Sequence, residues 1–276
     1  MILKKTYLAV MLLAVFVGLT LLLGNTARVA AAAPTGIRKK GGYRVSVAQP
    51  PATSYADGQR HTKAAIDVMG GPVVLVGHSY GGSIITEAGN DPYVAALVYI
   101  AAFALDQGES CPSIETAVPQ AFKAFKADNN GNVWIEQDHF AADFAADFPF
   151  AESHYLAIAQ VPISTDSFTR KVTSPAWKNK PAFYMVASSD RSINPQQERM
   201  MAKRAHAKTV QVKASHVAFL SRPMEAAKLI EEAAGSAHIN EESTGLYVAR
   251  GATRARQERL GAKAFEIENQ QIRADL

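Results

Sequence analysis

Val73-Val74-Leu75-Val76-Gly77-His78-Ser79-Tyr80-Gly81 is the stretch on which the fold turns. Its first four residues form an unbroken apolar run, the pattern of a strand buried on both faces of a parallel sheet. Gly77-x-Ser79-x-Gly81 follows without a spacer, and Ser83 to Ala88 then starts a helix. Strand, Gly-x-Ser-x-Gly, helix is the context in which that motif makes mechanical sense. The serine must occupy a tight turn, so Gly77 and Gly81 are expected to let neighbouring backbone pass close by. The turn lifts the hydroxyl above the strand ends. It also sets it at a helix N-terminus, where developing negative charge is favoured.

The same rhythm extends outward. Tyr43 to Ala48 reads as a short strand that Gln49-Pro50-Pro51 ends. Residues 57–69 read as a helix, with Ala64, Ala65, Ile66 and Met69 at helical spacing. Strands are expected at Tyr93–Ala102, Ala182–Ala187 and Thr209–Val212. Asn194-Pro195 opens a helix over Gln196–Ala207, and Gly235 stops another over Pro223–Ala234. Such alternation implies an α/β fold, a mostly parallel sheet flanked by helices. The rhythm breaks over about 106–178. There, residues 114–127 and 139–161 are rich in Ala and Phe at helical spacing around the turn Asp128–Asn132, which reads as a helical cap insertion. The main domain is thus expected over 34–235, and the polar stretch 236–276 as a solvated tail.

Residues 1–33 have the order of a secretory signal: Lys4-Lys5, an apolar run from Leu8 to Leu23, then Ala30 to Ala33 as a small-residue cleavage site. The run is sixteen residues, short of the about 20 that a membrane span needs. Export to the periplasm or medium is expected, with membrane anchoring through 1–33 as the alternative where the segment is uncleaved.

The whole chain of 276 residues is 48% hydrophobic, enough for one sizeable domain, and carries a net charge of +4. No Lys/Arg block with interleaved aromatics occurs, so nucleic acid is not an expected partner. Cys111 is the single cysteine, which rules out a disulfide within the chain and a cysteine metal site. No His/Asp/Glu cluster has metal-ligand spacing, so neither metal nor cofactor is expected.

A serine hydroxyl needs a base, and strand–turn serines of this type are followed by an acid and then a histidine. Asp190 stands directly after the strand 182–187, and His216 directly after 209–212. Parallel strands bring both loops to the sheet edge that carries Ser79. His216 would take the Ser79 proton and Asp190 would hold the imidazole. The backbone N–H of Tyr80 would receive the oxyanion. His78 lies inside the motif without needing to face the site. His61, His139, His154, His206 and His238 read as surface or packing residues. Phe140, Phe144, Phe148 and Phe150 read as cap packing that could also line an apolar pocket.

Several stretches resemble a bacterial family of small, esterase-like α/β-hydrolases, distantly similar to plant methyl esterases and hydroxynitrile lyases. They are Pro72-Val-Val-Leu-Val-Gly-His-Ser-Tyr-Gly-Gly82, Ile84-Ile-Thr-Glu-Ala-Gly-Asn90, Ala95-Ala-Leu-Val-Tyr-Ile-Ala-Ala-Phe-Ala104, Gly108-Glu-Ser110, Pro175-Ala-Trp-Lys178 and Met200-Met-Ala-Lys-Arg-Ala205. The resemblance covers about residues 42–235. It implies the α/β-hydrolase fold with a helical cap, a Ser79–Asp190–His216 triad, and a small-molecule ester as substrate. One element departs from the family pattern. Its members begin with a strand ending in His-Gly, which supplies a central strand and a second oxyanion donor, and no such element precedes Gly41-Gly42-Tyr43. Two readings stand side by side: the element is deleted behind a signal, or Val15–Leu23 replaces the strand with Gly24-Asn25 as its donor loop. Three activities follow: a working ester hydrolase, a catalytically impaired homologue, or a lyase on the same triad.

Overall fold

The computed structural model describes residues 37–38, 43–115 and 125–237. Two short strands come first, β1 (Ile37–Arg38) and β2 (Arg44–Val45), paired antiparallel. Then follow α1 (Tyr55–Met69), β3 (Val73–Ser79), α2 (Gly81–Ala88) and β4 (Val94–Ala102). The insertion holds α3 (Cys111–Glu115), β5 (Phe125–Ala127), β6 (Asn132–Ile135), α4 (Gln137–Asp143), α5 (Phe150–Ile158), β7 (Ile163–Ser164) and α6 (Asp166–Thr169). The chain returns through β8 (Ala182–Ala187), α7 (Pro195–Arg204), β9 (Lys208–Val212), α8 (Ala218–Ser221) and α9 (Pro223–Ala237).

The main sheet is parallel throughout, in the order β3-β4-β8-β9. Its apolar runs serve two cores at once. Val73, Leu75, Leu97, Tyr99, Tyr184 and Val186 join one cluster, whereas Val74, Val76, Val98, Ile100, Phe183 and Met185 join the other. Alternate residues of one strand point to opposite faces. Helices α1, α2 and α7 supply side chains to the first cluster and α9 to the second, so β3, β4 and β8 are covered on both faces, whereas the edge strand β9 exposes Lys208, Thr209 and Gln211. α1 is closed at both ends by its own sequence. Ser54 accepts the Asp57 N–H at its start, and Gly70 takes a left-handed φ of 64° at its end.

Three expectations need correction. Tyr43 to Ala48 gives only the two-residue β2, which lies outside the main sheet. The insertion is not wholly helical: β5, β6 and β7 form an antiparallel sheet of their own. Asp128 accepts the N–H groups of Asn130 and Asn132, and Gly131 adopts a φ of 77°, so the flanks of this turn pair rather than coil. Finally, α9 runs through Gly235 to Ala237, because Gly235 does not take the left-handed conformation of a helix stop.

Among the described residues β3 has a strand on one side only, its neighbour β4. The signal expected at 1–33, the replacement strand at Val15–Leu23 and all but two residues of the tail lie outside the described residues.

Candidate active site

Ser79 closes β3 with a φ of 55°, a left-handed conformation that costs a residue with a side chain about 1–2 kcal/mol. Close backbone contacts hold it there. A Cβ on Gly77 would lie 2.7 Å from the carbonyl oxygen of Gly81, and a Cβ on Gly82 would lie 2.7 Å from both backbone N and O of Phe103. The crowding thus includes Gly77, as the motif requires, and Gly82, which lies outside the motif. β4 adapts by bulging. Ser79 pairs with Ala102 after a register shift, and Ala101 takes a φ of 43°. Phe103 N–H donates to the Ser79 carbonyl, and the buried Tyr184 hydroxyl donates to the Ala102 carbonyl. The turn feeds directly into α2, whose N-cap is Tyr80, so Ser79 stands at a helix N-terminus.

Asp190 and His216 meet as the strand order requires. His216 Nδ1 donates to Asp190 Oδ2 at 2.6 Å, and both side chains are out of solvent. The other oxygen of Asp190 accepts the N–H groups of Ser192 at 2.7 Å and Ile193 at 3.0 Å. With Nδ1 committed as donor, Nε2 carries the lone pair. It is buried and has no hydrogen-bond partner. It makes no hydrogen bond to Ser79, a separation that general-base pairs commonly close only with substrate in place.

His78 belongs to this site, contrary to its treatment as a motif bystander. Its ring lies 4.6 Å from that of His216, and its Nε2 is 2.8 Å from the His216 carbonyl. A carbonyl only accepts, so His78 Nε2 carries the proton. Burial, then the neighbouring His216, holds His78 well below the usual imidazole range, so it is a neutral wall. Period-2 alternation was the available clue, since it puts His78 on the face of Val74 and Val76.

The insertion reaches both loops through one short segment. Asp143 pairs with Arg191 at 2.7 Å, the Phe144 ring packs 4.7 Å from His216, and Asp147 accepts the N–H and hydroxyl of Ser215. Burial alone would raise the Asp147 carboxyl, but the two Ser215 donors outweigh it and hold it below the usual range. Phe140 and Phe148 pack in the core, whereas Phe150 is exposed and stacks on His154. Cys111 is buried and its thiol is pushed up by that burial, so it is held as an unreactive thiol. Among the described residues no three His, Cys, Asp or Glu side chains converge to hold a metal ion, and no helix is long and apolar enough to cross a membrane. A cleft of ≈ 480 Å³ between α1 and α2, lined by Gln59, Arg60, Lys63 and Glu87, touches none of Ser79, Asp190 or His216.

The comparisons agree with this architecture. The profile described as "Alpha/beta hydrolase family" matches residues 22–229. The alpha/beta hydrolase nvfD of Aspergillus novofumigatus is 27% identical over 209 residues, 68% of this chain and 80% of that protein. The crystal structure of the pyrethroid hydrolase PytH superposes with a TM-score of 0.62 at 20% identity, over 84% of this chain and 98% of the other. The methylesterase MES16 from Arabidopsis superposes with a TM-score of 0.58 at 15% identity, over 69% and 87%. At these identities the superpositions speak for the fold.

Proposed function

The chain belongs to the alpha/beta hydrolase family, and on that premise we propose that it is a serine hydrolase that cleaves carboxylic esters of small apolar substrates. The observation that carries this reading is the buried 2.6 Å Asp190–His216 bond, its imidazole 4.6 Å from the ring of His78, the residue before a serine strained at a φ of 55°. Strain and buried polar pairing cost stability and persist where function uses them. Ser79 Oγ attacks the ester carbonyl as its proton passes to His216 Nε2. The Tyr80 N–H receives the developing oxyanion, and Asp190 stabilises the imidazolium. His216 then protonates the leaving alcohol, which departs as the acyl–Ser79 ester forms. Water, deprotonated by His216, releases the acid and restores Ser79. The Phe144 ring beside His216 suits an apolar substrate, as do the esterase and pyrethroid-hydrolase names of structural relatives.

A second reading, an impaired hydrolase, is favoured by one observation of the sequence: no His-Gly element, from which the family draws its second oxyanion donor, precedes Gly41-Gly42-Tyr43. Loss of one donor costs about 10²–10³ in turnover. The family match opens at Leu22, just before Gly24-Asn25, which supports the replacement loop instead. Export through residues 1–33 would remove that loop. The N-terminus of protein recovered from expressing cells decides: a start near Ala32 supports export, and intact Met1 in the soluble fraction overturns it. For the activity itself the test is a fluorophosphonate probe with an aryl-ester panel. Labelling of the wild type that vanishes in Ser79→Ala supports the hydrolase. A cooperatively folding wild type that neither labels nor turns over supports the impaired form.

A further inference from the structure

A second carboxyl stands against Asp190. Glu198 lies near the start of α7 and is fully buried. Its Oε2 accepts the N–H of Ala187, the last residue of β8, at 3.1 Å. Its Oε1 is buried and receives no donor, the Asp190 N–H donates to the carbonyl of the same Ala187 at 3.1 Å, and Asp190 is the carboxyl that bears on Glu198. Two buried carboxyls so placed do not both ionise, so they share one proton. The surroundings decide which group keeps it. Asp190 already accepts three N–H donors, from Ser192, Ile193 and His216. Glu198 accepts one.

The other polar groups facing Glu198 do not reverse this. Tyr184 is neutral and commits its hydroxyl to Ala102. Arg199 is a cation that acts on it, but its guanidinium is exposed and bonded to Gln211.

We propose that Glu198 is a positioning residue for the triad: a neutral acid whose Oε1–H donates to Asp190 and fixes the carboxylate that orients His216. Burial first, and the Asp190 charge second, hold the Glu198 carboxyl well above the usual range, in line with this placement. The catalytic consequence rests on the Ser79–His216 reading, whereas the placement of the proton does not.

Glutamine is the neutral isostere, with a carbonyl for Ala187 and an N–H for Asp190, whereas methionine fills the volume and offers neither. Infrared spectra recorded above the range in which Glu115, pushed up to about 7 by its burial, still holds a proton read the Glu198 proton directly. A protonated-carboxyl band is expected in the wild type and is lost in Glu198→Gln. The low-field proton resonance of the His216–Asp190 bond is expected to hold in Glu198→Gln and to move in Glu198→Met. Kinetically, Glu198→Met is expected to lose on the order of tenfold in kcat with KM little changed. Its acid limb moves to higher pH, because Asp190 is left a stronger partner for protonated His216. Glu198→Gln is expected to restore the wild-type profile. Absence of the acid band, its survival in Glu198→Gln, or a glutamine variant that behaves like methionine would each overturn the proposal. If no variant turns over ester, the hydrolase reading fails while the two spectra still decide on Glu198. Thermal melts identify a methionine variant that fails to fold, and the glutamine comparison then stands alone.

Discussion

The loops that carry Asp190 and His216 are held from several sides, whereas the turn that carries Ser79 stands at the edge of the described sheet. Asp190 has three N–H donors, His216 is packed between His78 and Phe144, and Asp147 reaches across from the insertion to Ser215. The Ser79 turn relies instead on glycine-only contacts and a bulge in β4, and β3 has one described neighbour. The contrast teaches that the Asp190–His216 pair draws its contacts from the loops after β8 and β9 and from the insertion, not from the far side of β3. A well-formed Asp190–His216 pair therefore says little about the oxyanion hole proposed at Tyr80, which depends on the other half.

The largest test removes the weaker half outright. Ser79→Ala is expected to lower kcat by about 10⁵–10⁶ while leaving the His216–Asp190 resonance in place. Loss of that resonance would mean the halves are coupled. Asp190→Asn comes next, at about 10⁴ in kcat, because the amide presents the wrong tautomer to His216. Asp147→Ala strips two donors of their partner and is expected to lower stability by about 1–3 kcal/mol in denaturant unfolding. An unchanged midpoint would remove the insertion from the account of the stronger half.

His78 gives a pH test of the same half. Its folded form resists protonation, whereas the unfolded form titrates near its ordinary value of 6.5. Its contribution is therefore complete above pH 6.5 and is lost as pH falls toward the depressed folded value, by at most roughly 1.4 kcal/mol per pH unit. His78→Gln is expected to flatten the fall in Tm between pH 7 and 5. The smallest effect returns to the Ser79 turn. Ser79→Gly is expected to be more stable than Ser79→Ala by about 1 kcal/mol, as glycine relieves the left-handed strain. Equal stability would show that the turn stores none.

Much of this was legible locally. The apolar runs at 73–76, 94–102 and 182–187 had to be strands with both faces buried, and each is. The Gly77-x-Ser79-x-Gly81 context announced the sharp turn, and the acid-then-base order pointed to Asp190 and His216. The insertion was less legible because Ala and Phe at helical spacing do not exclude a hairpin once Asp128 and Gly131 close the turn.

The sequence by itself determined the strands of the main sheet, the turn that carries Ser79 and the loops that carry Asp190 and His216, because those follow from period-2 burial and turn chemistry within a few residues. Only the tertiary structure decided that Gly82 takes the crowded position against Phe103, that His78 walls His216, that Asp147 braces Ser215, and that Glu198 stands against Asp190. Except for Glu198 and Asp190, those pairs are far apart along the chain. None leaves a local pattern, since such contacts are set by where parallel strands and an inserted cap bring side chains together, and periodicity carries no record of that.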